Sequence, residues 1–108
     1  GTDRRSLVAC RYGEDTGIFG FGYTGSNTNV TNLVSNTGVV ASDQAATTGT
    51  ARKRIGACEY GQDKGIFAYG MTGSNVSMSN LVSNAGVVAS DVTGVGTARR
   101  NLGGCSFN

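Results

Sequence analysis

The sequence predicts an all-β chain made of two tandem copies of one four-stranded antiparallel meander, with a further first strand after them. Three observations carry this expectation. The 108 residues include 18 Gly but no Pro, Trp or His, and a chain rich in Gly, Thr, Ser, Asn and Val favours short strands and tight turns over helices. Shifted by 48 positions, the chain matches itself at 27 of 47 residue pairs, counted from Gly1/Gly49 to Thr47/Val95. Within each copy, turn signals divide four apolar runs.

The repeat accounts for the whole chain. Residues 1–48 form the first copy, 49–95 the second, and 96–108 a partial third that holds only a first strand. One residue is dropped near Thr48, so the third start falls 47 positions after the second. Periods of about 40 to 50 residues are those of propeller blades and solenoid coils. The first expected strand is Leu7 to Tyr12, ended by "GEDTG", and the second is Ile18 to Tyr23, ended by "TGSN". The third is Val30 to Ser35, ended by "NTG", and the fourth is Val39 to Ser42. Their copies are Ile55 to Tyr60, Ile66 to Met71, Met78 to Ser83 and Val87 to Ser90. Four such strands in series have the shape of a propeller blade.

The second strand sets the packing. Strict alternation places Phe19, Phe21 and Tyr23 on one face and Ile18, Gly20 and Gly22 on the other. The copy divides in the same way, with Phe67, Tyr69 and Met71 against Ile66, Ala68 and Gly70. A bulky face beside a bare one suits stacked sheets, in which the rings of one settle on the backbone of the next. Burying each ring contributes about 2–3 kcal/mol, so adjacent sheets stabilise each other more than themselves.

These residues resemble a known family. A repeat of about this length has an Arg-bearing start, a small-residue first strand ending in Tyr-Gly and a second strand of the "IFAYG" kind. Such a repeat is similar to a kelch-type β-propeller blade. The resemblance covers the whole chain and is nearest to the regular kelch-like arrays of bacteriophage and environmental bacterial proteins. It implies blades that stack into a ring or array, with a structural role on a virion or outside the cell. Two features depart from it: Gly20-Phe21-Gly22 and Ala68-Tyr69-Gly70 stand where an adjacent Gly pair is usual, and the late Trp is missing.

Two blades cannot close a ring, which needs at least four. The expectation is therefore self-association, with three chains giving six blades as the first arrangement to test, or an open, continuing assembly, or a piece of a longer array. An unrelated β-solenoid is the remaining alternative. The partial third repeat duplicates a strand that the front of the chain already supplies, which favours a piece of a longer array or a continuing assembly over a neat ring.

Little in the chain points to chemistry. There is no His, no nucleophile motif and no phosphate-binding Gly loop before a helix, so no enzyme and no cofactor are expected. A net charge of +2 with no polybasic run gives no nucleic-acid partner, and the short apolar runs give no membrane span. Cys10, Cys58 and Cys105 share one position in successive repeats and are expected as small buried residues, not metal ligands. Seven of the nine basic residues lie at repeat starts, and Arg4, Arg52 and Arg99 are expected to bridge neighbouring blades by pairing with Asp43 and Asp91. The alternative function is a multivalent, lectin-like binder in which Ser26, Asn27, Ser74 and Asn75 of the "TGSN" loops hold a cell-surface glycan. An adaptor that recruits a protein partner on its rim is the third possibility.

Overall fold

Each repeat of the chain folds into one three-stranded antiparallel sheet, in a computed structural model that describes residues 1–44 and 49–107. The stretch across Thr48, where the repeat changes length, lies outside the described residues. The first sheet comprises β1 (Val8–Tyr12), β2 (Thr16–Tyr23) and β3 (Asn27–Val34). The second comprises β4 (Gly56–Tyr60), β5 (Lys64–Ala68) and β6 (Ser79–Val82). Both are simple meanders with the middle strand second in sequence, and no described residue is helical. The chain is all-β, as its composition predicts.

Registers repeat as well as strands. Cys10 lies opposite Ile18 and Tyr12 opposite Thr16, as Cys58 lies opposite Ile66 and Tyr60 opposite Lys64. Gly13 and Gly61 enter the tight turns between these strands at φ of 60° and 58°. Glycine adopts that left-handed region without steric cost.

The fourth run of each repeat does not become a strand. Val39–Ser42 and Val87–Ser90 lie along the sheet edge, tied by the bridges Val34↔Val40 and Val82↔Val88. The reason is a register fault. Ala41 N donates to Leu33 O and Gln44 N to Thr31 O, a step of three residues on the edge against two on β3. Ala89 N to Leu81 O and Val92 N to Ser79 O repeat that step. One extra residue in the edge segment is a bulge, which ends regular pairing and blunts an exposed edge.

A second irregularity overturns the expected alternation in β2. Pairing shifts between Gly20 and Gly22, and Phe21 takes φ 62° while Gly22 takes 110°. A Cβ on Gly22 would lie 2.7 Å from Arg5 O, so only glycine fits there. The kink separates the two rings assigned to one face: Phe21 is fully buried toward the second sheet, whereas Phe19 stays on the opposite, open side, 40% exposed. Tyr69 and Gly70 repeat the kink at φ 65° and 98°.

The two sheets stack, and the core is their junction. It consists of Tyr12, Ile18 and Phe21 from the first sheet and Ile55, Phe67, Val82 and Val88 from the second. Phe21 and Phe67 meet edge to face, with ring centroids 5.4 Å apart, an arrangement that adds about 0.5–1.5 kcal/mol beyond area burial. Phe67 lies directly on Gly20, where a Cβ would come within 2.6 Å of the ring.

Candidate functional site: two open faces

Every core position has a counterpart 48 residues away, and burial follows from neighbours rather than from residue type. Phe67 is 0% exposed and Val88 6%, yet their counterparts Phe19 and Val40 are 40% and 52% exposed. Ile55 is buried and its counterpart Leu7 is exposed. These pairs mark one face of each sheet, covered in the second repeat and open in the first. On the reverse face the relation inverts. Tyr12, Ile18 and Phe21 are buried in the first repeat, and Tyr60, Ile66 and Tyr69 are only half-buried in the second. The chain therefore presents two unlike open faces, each a copy of one half of its own core.

Residues 96–107 lie along the open face of the second sheet. Their backbone copies the earlier starts: Ser6, Arg54 and Asn101 take φ of 55°, 57° and 55°. The bonds between repeats are copied too. Arg54 N donates to Ser6 O and Asn101 N to Arg54 O, while Gly22 N donates to Arg52 O and Gly70 N to Arg99 O. Arg52 stacks over Phe21 at 5.2 Å and Arg99 over Tyr69 at 3.9 Å, a cation–π contact. Beyond Leu102 the copying weakens. Gly103 and Gly104 stand where the second repeat has Gly56 and Ala57, no strand forms, and Phe107 is fully exposed. A hollow of about 280 Å³ remains against Ile66, Ala68, Tyr69 and Leu102.

The arginines expected to pair with acids across blades make their side-chain hydrogen bonds within their own repeats, and Arg52 and Arg99 reach the preceding repeat only by stacking on its ring. Arg4 does not meet Asp43 directly: it donates through Nη2 to Asn32 Oδ1 at 2.7 Å, and Asn32 Nδ2 donates to Asp43 Oδ1 at 2.8 Å. Asp43 also accepts the Thr2 backbone N–H and hydroxyl. Those hydrogen bonds from Thr2 and Asn32 hold its carboxyl down to about 2. Asp91 accepts the same set from Thr50 and Asn80. Slight burial pushes Asp91 up, but the Thr50 and Asn80 bonds outweigh it and its pKa is lowered.

Arg52 is fully buried, donating to Tyr69 O and Thr50 O. Burial lowers its pKa. Its Nη2 and the Asn80 Oδ1 are buried without partners, so the second repeat leaves unmade the bond that joins Arg4 to Asn32. Arg99 is exposed, and its guanidinium donates back to Thr97 O. Sequence reading missed the asparagines of this clasp. The signal was the Asn that opens "NLVSN" in both copies, a polar residue kept next to the same Leu-Val pair while its preceding neighbours change.

The junction carries an ion pair that the sequence did not single out. Arg11 Nε lies 2.6 Å from Glu59 Oε2. The two residues occupy one position in successive repeats with opposite charge, and Ser106 holds it in the third, donating to Glu59 Oε1 at 2.8 Å. That bond from Ser106, together with Arg11, lowers the Glu59 pKa.

The loop polar residues do not converge. Thr24 N donates to Ser26 O and Thr72 N to Ser74 O, which closes each loop as a turn. Ser26, Ser74 and Asn75 are exposed, whereas Asn27 donates to Thr72 O at 2.8 Å and so links the two loops. Tyr23 receives Lys53 at 4.2 Å and Arg5 at 5.0 Å over its ring, and Arg100 Nη1 donates to Met71 Sδ. The three cysteines are free thiols. Cys10 faces the second sheet, where burial raises its pKa to about 11. Cys105 is exposed, against the expectation of burial. No helix among the described residues is long and apolar enough to cross a membrane.

Compared with protein-family models and with curated proteins, the sequence has no match.

Proposed function

We propose that this chain is a non-enzymatic structural module that assembles by stacking sheet on sheet with further copies of itself, as kelch-like propellers and filaments do. One observation carries the reading: the core lies entirely between the two repeats, and each outer face repeats one side of it. Exposed Phe19, Leu7 and Val40 on one side form the kind of contiguous apolar surface that soluble monomers avoid unless it binds something. Because the two open faces differ, contact between copies is head to tail. Such contacts close into rings when the rotation allows and otherwise grow as filaments.

A role as a virion or extracellular component belongs to the same proposal and rests on the resemblance of the repeats. The test is the mass of the particle in solution, by light scattering and sedimentation over a wide concentration range. Three chains support a six-sheet ring, and a polydisperse ladder supports open growth. A folded monomer at high concentration overturns the reading.

A further inference from the structure

We infer the register of the joint between copies: Phe19 of one copy enters the hollow over Ala68 and Ser79 of the next, as Phe67 sits over Gly20 and Thr31 within the chain. This rests on the self-assembly reading and adds to it which residues meet.

Three features of the second sheet fit that occupant. The first is volume. Gly20 and Thr31 are cross-strand partners, as are Ala68 and Ser79. The copy gains one methyl on the middle strand and loses one from the residue opposite, so the seat keeps its size. Space is present on both sides of Ala68, in the hollow toward Leu102 and in another of about 180 Å³ toward Ser79 and Val92. The second feature is the aromatic partner. Phe67 meets Phe21 edge to face, and Tyr69 stands in the same kinked position to receive Phe19.

The third feature is charge. Within the chain, Arg11 of the first sheet pairs with Glu59 of the second. Across the proposed joint the order reverses, and Glu59 faces the next copy's Arg11. Attraction is kept at every step of a row. A joint made the other way, first face on first face, would set Arg11 against Arg11.

Residues 96–107 occupy the place that the start and β1 of an incoming copy require: 96–102 make the backbone bonds of a repeat start, and the incoming start makes the same ones in exchange. Residues 103–107 are poorly equipped to hold theirs, with Gly103 and Gly104 in place of Val8 and Ala9, no ladder partner, and Ser106 in place of an ion-pairing Arg11. The incoming strand brings a full register to β2 and a charge for Glu59, and it displaces them.

The joint can be trapped covalently. A Cβ on Gly65 would lie 2.7 Å from Cys10 Sγ, near the Cβ-to-sulfur separation of about 3 Å across a disulfide. The corresponding pair between copies is Gly17 and Cys58. A Cβ on Gly17 meets only ordinary contacts, at 3.7 and 3.8 Å, so Gly17→Cys is tolerated. Oxidation of Gly17→Cys with oxidised glutathione should give a ladder of covalent oligomers on non-reducing gels. Adding Cys58→Ala should abolish the ladder. Gly65→Cys should instead close a bond to Cys10 within one chain and serves as the internal standard. Phe19→Asp, on the open face, should leave a folded monomer. If wild-type particles form but Gly17→Cys is not trapped through Cys58, the register is wrong and self-assembly stands. If the wild-type chain is monomeric, both fail.

Discussion

Phe19 and Phe67 are the same residue at the same place in two repeats, and replacing each by alanine measures what a neighbouring sheet is worth. Phe67 is fully buried against Gly20 and Phe21, so its loss removes the ring and leaves a cavity, at about 3–5 kcal/mol. Phe19 keeps two-fifths of its surface in water and encloses no cavity when removed. Only about three-fifths of the transfer term of about 2–3 kcal/mol for a buried ring is lost, so about 1.2–1.8 kcal/mol. For a domain of this size 1 kcal/mol moves Tm by about 4–8 °C. Phe67→Ala should therefore lower Tm by at least about 12 °C, and by about two to four times as much as Phe19→Ala. The assay is thermal unfolding followed by near-ultraviolet circular dichroism, on samples dilute enough to be monomeric. If Phe67→Ala does not fold, Phe67→Leu and Phe19→Leu should preserve the order with smaller gaps. Raising the concentration should narrow the difference, because a second copy then covers Phe19. Equal losses at the two positions in dilute solution would refute the claim that the sheet junction is the core.

Gly20→Ala places a methyl 2.6 Å from the Phe67 ring and should cost about 1–3 kcal/mol in urea unfolding, the usual penalty of overpacking. Replacing buried Arg52 by Met strands the Tyr69 and Thr50 carbonyls it serves and should cost about 2 kcal/mol or more, read from the same titration. The carboxyl of Asp43 sits at about 2 in the fold, below its ordinary value of 3.8. Its contribution is complete above pH 4 and is lost as pH falls through about 2, so Asp43→Asn should flatten the acid limb of the stability–pH curve. At pH 8 the thiolate fraction of Cys10 is about a hundredfold below that of an ordinary thiol, given a shift from 9.0 to about 11. Iodoacetamide should accordingly label exposed Cys105 well before Cys10, as counted by mass spectrometry.

Much of the fold was legible because the chain states it twice. The strands fall where apolar runs alternate with turn residues, and the hairpin glycines sit at the positive φ that their turns need. Two misreadings share one cause. Alternation assumes an unbroken pleat, but Phe21 and Tyr69 take left-handed backbone, and nothing in a bulky aromatic announces that. Likewise the edge runs contain the right residues for a fourth strand, but Asp43 and Asp91 turn to bond Thr2 and Thr50 at the start of the repeat. The backbone bulges out of register beside them. The expected direct Arg–Asp pairing is replaced by an asparagine on the third strand: Asn32 bonds both Arg4 and Asp43, whereas Asn80 bonds Asp91 but not Arg52. The open faces were the least legible feature, since sequence identity between the repeats hides that one copy is covered and the other is not.

The opposite charges at Arg11 and Glu59 also have a bearing on number. In any row where first and second repeats alternate, unlike charges lie side by side at each step, so the row extends by pairs. Skip a single repeat, and two guanidinium groups or two carboxylates come to face each other at a spacing where repulsion is strongest. Two halves alike in fold thereby keep a parity, and an odd count is resisted by electrostatics.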